Sequence, residues 1–131
     1  MKKKISVLIN NKIKKFNKSI TVESDKSMSH RSLLLASQCI GSSEISNILE
    51  SEDVINTIIC LRKLGVKVRK EKKKYIVYGN GFGSFKKPKN NFLYAGNSGT
   101  LARMLLPLLG TQSNLKIKVA GDNSLNKRDM K

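Results

Sequence analysis

The chain has 131 residues, 39% of them hydrophobic, and sets 26 Lys and Arg against 9 Asp and Glu for a formal net charge of +17. That length and apolar fraction fit one domain with a moderate core and exclude a disordered segment. No apolar run is long enough to span a bilayer, and Ile5-Ser6-Val7-Leu8-Ile9 is too short for the apolar core of a secretory signal, so a cytoplasmic protein is expected.

Residues from Ile5 to Val22 read as two or three short strands, separated by Asn10-Asn11 and by the Lys-rich stretch from Lys14 to Lys18. The run Asp25-Lys26-Ser27-Met28-Ser29-His30-Arg31 then opens a first helix, expected from about Ser27 to Ile40 with Gly41 as its left-handed stop. The first N–H groups of a helix lack internal partners and its dipole makes that end positive. Lys26, Ser27 and Arg31 placed there suit a phosphate or carboxylate, the alternative being a capped surface helix with incidental charge. His30, the only histidine, has no second His or Cys beside it to make a zinc site, and its expected role is to orient or pack. No metal is expected.

Glu44-Ile45-Ser46-Asn47-Ile48 reads as a brief strand. Ser51 is then the expected cap of a second helix, with Glu52 and Asp53 as acids in its first turn and Val54, Ile55, Ile58, Ile59, Leu61 and Leu64 at helical spacing. Gly65 ends it. Val66 to Arg69 and Tyr75 to Tyr78 alternate as the arms of a hairpin about a Lys-rich turn. Gly79-Asn80-Gly81-Phe82-Gly83 looks like a dinucleotide loop only superficially, because Ser84-Phe85-Lys86-Lys87-Pro88 follows in place of a helix. Both cysteines, Cys39 and Cys60, fall on apolar helical stretches and read as buried free thiols.

A second ligand-type turn, Gly96-Asn97-Ser98-Gly99-Thr100, follows the short strand from Phe92 to Ala95 and precedes a helix from about Ser98 to Leu109, loosened by Pro107 and closed by Gly110. Arg103 sits one turn in, as Arg31 does in the first run. A third turn, Gly121-Asp122-Asn123-Ser124-Leu125-Asn126-Lys127-Arg128, follows the alternating strand Leu115 to Val119. Polar, cation-bearing turns after strands are where open α/β folds gather ligands. The segments beginning at Asp25 and Gly96 share one plan, which predicts a repeated α/β unit. The net charge invites a basic nucleic-acid-binding module as an alternative. Against it, the excess is mostly Lys on tips such as Lys72-Lys73-Lys74, and the aromatic residues, 5% of the chain, are not interleaved with the cations as a base-stacking platform requires.

Taken together and in order, the Asp25–Arg31 run, Gly96–Thr100 with Arg103, and Gly121–Leu125 with Arg128 resemble the 5-enolpyruvylshikimate-3-phosphate synthase family. Ser51-Glu52-Asp53-Val54 through Leu64-Gly65-Val66 looks like the same family's intervening segment. The resemblance implies transfer of the enolpyruvyl group of phosphoenolpyruvate to shikimate 3-phosphate in the shikimate pathway of aromatic amino-acid biosynthesis, with no cofactor. It implies a fold of two lobes, each an inside-out α/β barrel of repeated βαβαββ units, and a monomer when full length. Residues 1–22 would open the first lobe and residues 23–131 would form roughly half of the second, truncated at the C-terminus. By the same resemblance Lys26 contacts both substrates, Ser27 and Arg31 hold shikimate 3-phosphate, and Gly99 and Arg128 meet phosphoenolpyruvate. Asn97, Thr100 and Arg103 shape the same wall. A methyl group at Gly99 would crowd that ligand and disfavour bulkier analogues such as glyphosate. Asp129 departs from the family pattern, which places Pro after the Arg. No residue here matches the family's proton-transfer acids, so the chain alone is expected to be inactive. The UDP-N-acetylglucosamine enolpyruvyl transferases share the implied fold, but Lys26-Ser27 stands where they would show Lys-Asn.

Overall fold

Asp25 fixes where the first helix begins: its backbone is extended and its carboxylate accepts the N–H of Met28 at 2.7 Å. The computed structural model describes residues 22–112 and 115–129, with Leu8, Asn10, Lys15, Asn17 and Ser19 singly. The strands expected between Ile5 and Val22 lie largely outside the described residues. Helix α1 spans Lys26–Gln38 and strand β1 spans Ile40–Ser46. Helix α2, Glu52–Lys63, leads into β2, Lys67–Glu71, and β3, Lys74–Asn80. Then come β4, Phe92–Tyr94, helix α3, Gly99–Gly110, β5, Lys118–Ala120, and the single-turn α4, Asn123–Asn126.

The described residues form an α/β arrangement with two sheets. β1, β3 and β2 form an antiparallel sheet with β3 in the centre, where Val77 faces Ser43 on one side and Val68 on the other. β4 and β5 pair in parallel, Leu93 opposite Val119, with α3 as the crossover between them. Along β3 the side chains of Tyr75 and Val77 point inward, which is the period-two pattern of a half-buried strand. They meet Leu33 and Leu34 of α1, Val54, Ile58 and Leu61 of α2, Leu93 of β4, and Leu101 and Leu105 of α3 in one core.

Three boundaries differ from expectation. α1 stops at Gln38, not near Ile40, and Gly41 is not its stop: although its φ is +93°, it lies inside β1 opposite Gly79. β1 begins four residues before Glu44 because all seven of its residues find partners along β3. The last strand covers Lys118–Ala120 in place of Leu115 to Val119, since β4 offers only three residues to pair with. Ser51 occupies the N-cap of α2, but its side chain makes no capping hydrogen bond. Cys39 is exposed beyond the end of α1, while Cys60 is buried in α2 as expected.

Candidate functional site

Parallel pairing of β4 with β5 brings the second and third motifs side by side. Beyond the strands, the Ala95 N–H donates to the Ala120 carbonyl at 2.8 Å and the Asp122 N–H to the Gly96 carbonyl at 2.9 Å. A side chain at Gly121 would run into that Gly96 carbonyl and into Leu125, so this close approach requires glycine. Gly96 itself turns the chain at φ +60° against the Asn56 side chain of α2. Ser98 and Asp122 then cap α3 and α4, accepting from the Leu101 and Leu125 N–H groups at 3.2 and 2.7 Å.

Packing of α1, α2 and α3 gathers their N-terminal turns around a cleft of about 570 Å³. Lys26 of α1, Glu52 and Asp53 of α2, Asn97, Gly99, Thr100 and Arg103 of the α3 turn, and Arg128 after α4 line it. Three cations (Lys26, Arg103, Arg128) therefore face two carboxylates (Glu52, Asp53), on top of the positive ends of three helices. Lys26 Nζ rests 2.9 Å from Asp53, so this cation is held in the cleft by an ion pair, with the acid the more buried of the two. The Arg128 guanidinium donates to Asn97 Oδ1 and, at 3.3 Å, to Ser124 Oγ, which ties the third motif to the second.

Lys26, Gly99 and Arg128, separated by up to a hundred residues in the chain, thus share one wall, together with Asn97, Thr100 and Arg103. Ser27 and Arg31 are not part of that lining, and Arg31 is exposed. Helical geometry is the reason: at about 100° per residue, Ser27 and Arg31 lie roughly 100° and 140° around α1 from Lys26. His30, four residues on from Lys26, returns to the Lys26 side and is fully buried. Its Nδ1 lies 2.7 Å from Thr57 Oγ1 of α2 and its Nε2 lies 3.4 Å from Ser98 Oγ. Burial lowers the His30 pKa, Asp53 opposes that shift and Lys26 adds to it.

Glu52 and Asp53, expected only as first-turn acids of α2, also line the cleft. The available signal was that α2, like α1 and α3, starts with a polar turn after an extended segment. A second hollow of about 360 Å³ at Arg62, Lys63, Pro88, Asn90 and Phe92 lies at the opposite end of α2 and holds none of the motif residues. The Lys-rich hairpin end forms a third, but there Lys70 pairs with Glu50 at 2.6 Å and Lys74 with Glu44 at 2.5 Å, which leaves less charge for a nucleic acid. Among the described residues no group of His, Cys, Asp and Glu suits a metal ion, and no helix is long and apolar enough to cross a membrane.

Comparison with known proteins converges on one family. The family model described as EPSP synthase (3-phosphoshikimate 1-carboxyvinyltransferase) matches residues 10–131. A 3-phosphoshikimate 1-carboxyvinyltransferase of Alkaliphilus metalliredigens is 40% identical over 95% of this chain and 29% of its own length. That of Oenococcus oeni is 45% identical over 87% of this chain and 26% of its own length. The solved EPSP synthase from Acinetobacter baumannii superposes with a TM-score of 0.74 at 36% identity, covering 85% of this chain and 25% of that one. The chain thus spans little more than a quarter of the curated relatives it matches.

Proposed function

This chain belongs to the EPSP synthase family, and on that premise we propose that it supplies one wall of the active site of a 3-phosphoshikimate 1-carboxyvinyltransferase. The reaction joins the 5-hydroxyl oxygen of shikimate 3-phosphate to the enolpyruvyl carbon of phosphoenolpyruvate as phosphate leaves. Two multiply charged anions meet in one pocket, so fixed cations are the first requirement. Each charge-assisted hydrogen bond contributes roughly 1.5–3 kcal/mol. The single observation that carries this reading is the convergence of Lys26, Gly99 and Arg128 on one cleft.

In this proposal Lys26, released from Asp53 or shared with it, touches both substrates. Gly99 offers backbone to phosphoenolpyruvate without a side chain in the way, and Arg128 pairs with that ligand's charge. Ser27 and Arg31, outside the cleft lining, take the shikimate phosphate from the neighbouring face of α1. His30 is buried and engaged at both nitrogens, so it is not assigned proton transfer, and no other residue of the chain is. Residues 1–22 would belong to the first lobe and residues 23–131 to about half of the second, within an inside-out barrel of repeated units. The whole enzyme is read as a cytoplasmic monomer.

Two measurements test this. Calorimetric titration should show saturable binding of shikimate 3-phosphate that is lost in Arg31→Ala and of phosphoenolpyruvate that is lost in Arg128→Ala. Affinity that instead falls steeply with salt across unrelated nucleic acids, with no response to either metabolite, would overturn the reading. Turnover is expected to be absent from the chain alone in a coupled phosphate-release assay, and detectable turnover would refute that.

A further inference from the structure

His30 joins three helices and is not part of the cleft lining. It is fully buried on α1, its Nδ1 is 2.7 Å from Thr57 Oγ1 of α2, and its Nε2 is 3.4 Å from Ser98 Oγ, the N-cap of α3. Thr57 Oγ1 in turn lies 3.3 Å from the Asp53 carbonyl, and Ser98 Oγ accepts the Leu101 N–H at 3.2 Å. Thr57 and Ser98 are themselves buried, at 0% and 2% exposure, so water does not complete their bonding.

Counting protons leaves one fully satisfied arrangement. The Ser98 hydroxyl donates to a bare Nε2, the Nδ1–H donates to Thr57 Oγ1, and the Thr57 hydroxyl donates to the Asp53 carbonyl. In the opposite tautomer Nε2–H and the Leu101 N–H both point at Ser98 Oγ, and the buried Ser98 proton loses its acceptor. The imidazolium does the same and adds a desolvated charge, and a stranded buried donor forfeits its hydrogen bond without water to replace it.

We propose that His30 is a positioning residue: as the neutral Nδ1–H tautomer it locks the α3 N-cap to α1 and α2 and thereby sets the placement of Gly99 in the cleft it shares with Lys26. The inference rests on the reading of the cleft as a substrate pocket, because what it positions are the groups assigned there. Cutting this strut should loosen the turn from Asn97 to Leu101 without removing any residue that touches substrate.

The lone histidine makes the test direct, since a long-range proton–nitrogen spectrum of the labelled 131-residue chain contains one imidazole. At pH 7 the expected pattern is a protonated Nδ1 and a bare Nε2. Thr57→Val, equal in shape and lacking the hydroxyl, should mix the tautomers, shift the backbone amides from Asn97 to Leu101 and raise the Kd for phosphoenolpyruvate at least threefold. Thr57→Ser should restore all three. An Nε2–H or doubly protonated ring at pH 7 would overturn the proposal, as would a folded Thr57→Val chain with unmoved amides and unchanged affinity. Should Thr57→Val fail to fold, the wild-type tautomer decides. A chain that shows the tautomer and the amide shifts but binds no phosphoenolpyruvate keeps the positioning role and sinks the substrate reading instead.

Discussion

Gly99→Ala separates the stability of the fold from the chemistry of the cleft. A Cβ at residue 99 would stand 3.3 Å from Arg128 Nη1 and 3.9 Å from Leu125 Cδ1. The backbone there does not require glycine, since Gly99 is absent from the positive-φ residues and opens α3. Alanine is a better helix former by up to about 1 kcal/mol, so the fold should be unchanged or slightly firmer. The contact that must give is the guanidinium, the far end of an exposed side chain, and moving it a few tenths of an ångström disturbs its hold on Asn97 Oδ1 and Ser124 Oγ. Losing the alignment of one charge-assisted hydrogen bond corresponds to roughly 1.5 kcal/mol at the low end, or about tenfold in Kd. Calorimetry should therefore show phosphoenolpyruvate affinity about tenfold weaker, shikimate 3-phosphate affinity nearly unchanged, and a melting temperature within about 4 °C of wild type. Unchanged phosphoenolpyruvate affinity, or a fall confined to shikimate 3-phosphate, would refute the placement of Arg128 and Gly99 on the phosphoenolpyruvate side.

Two further outcomes follow from titrating groups. Desolvation pushes the Cys60 thiol up to about 11, and its Sγ donates to the Tyr94 carbonyl at 3.4 Å, whereas Cys39 is exposed. At pH 8 an aromatic disulfide reagent should label one thiol rapidly and the second only on unfolding, and two equally fast thiols would contradict the burial of Cys60. His30 has its pKa lowered from 6.5, with burial as the main cause, Lys26 adding to it and Asp53 opposing. The unfolded chain then binds more protons than the folded one below that value, so stability should fall as pH drops below 6.5 and through the folded pKa. Chemical denaturation at stepped pH measures this, and the His30→Asn variant should lose that part of the slope. An identical slope in both chains would place the titrating group elsewhere.

What the residues determined by themselves was whatever local chemistry encodes. The period of Val54, Ile58 and Leu61, with acids ahead and Gly65 behind, marks α2, and the alternation on either side of Lys72 marks the hairpin. The polar turns ahead of α1 and α3 make those two helix starts legible and, with the third turn, the residues Lys26, Gly99 and Arg128, whereas the single-turn α4 capped by Asp122 reads in the sequence only as a turn. Where an element's limits depend on a distant partner, local reading fell short. β1 runs from Ile40 because β3, some thirty residues later, offers a full edge, and Cys39 is exposed because that strand ends α1 early.

Only the packing of the helices decided which of the legible residues meet. Rotation about α1 points Lys26 into the cleft and leaves Ser27 and Arg31 outside its lining, although all three stand in one motif. The same packing turns Asp53 into the partner of Lys26 and makes Thr57 and Ser98 the two ends of the His30 strut. Capping and periodicity act within a few residues and are written in the order of the chain. The direction a side chain faces relative to another helix depends on how three apolar stripes interlock, and no single stretch of sequence contains that.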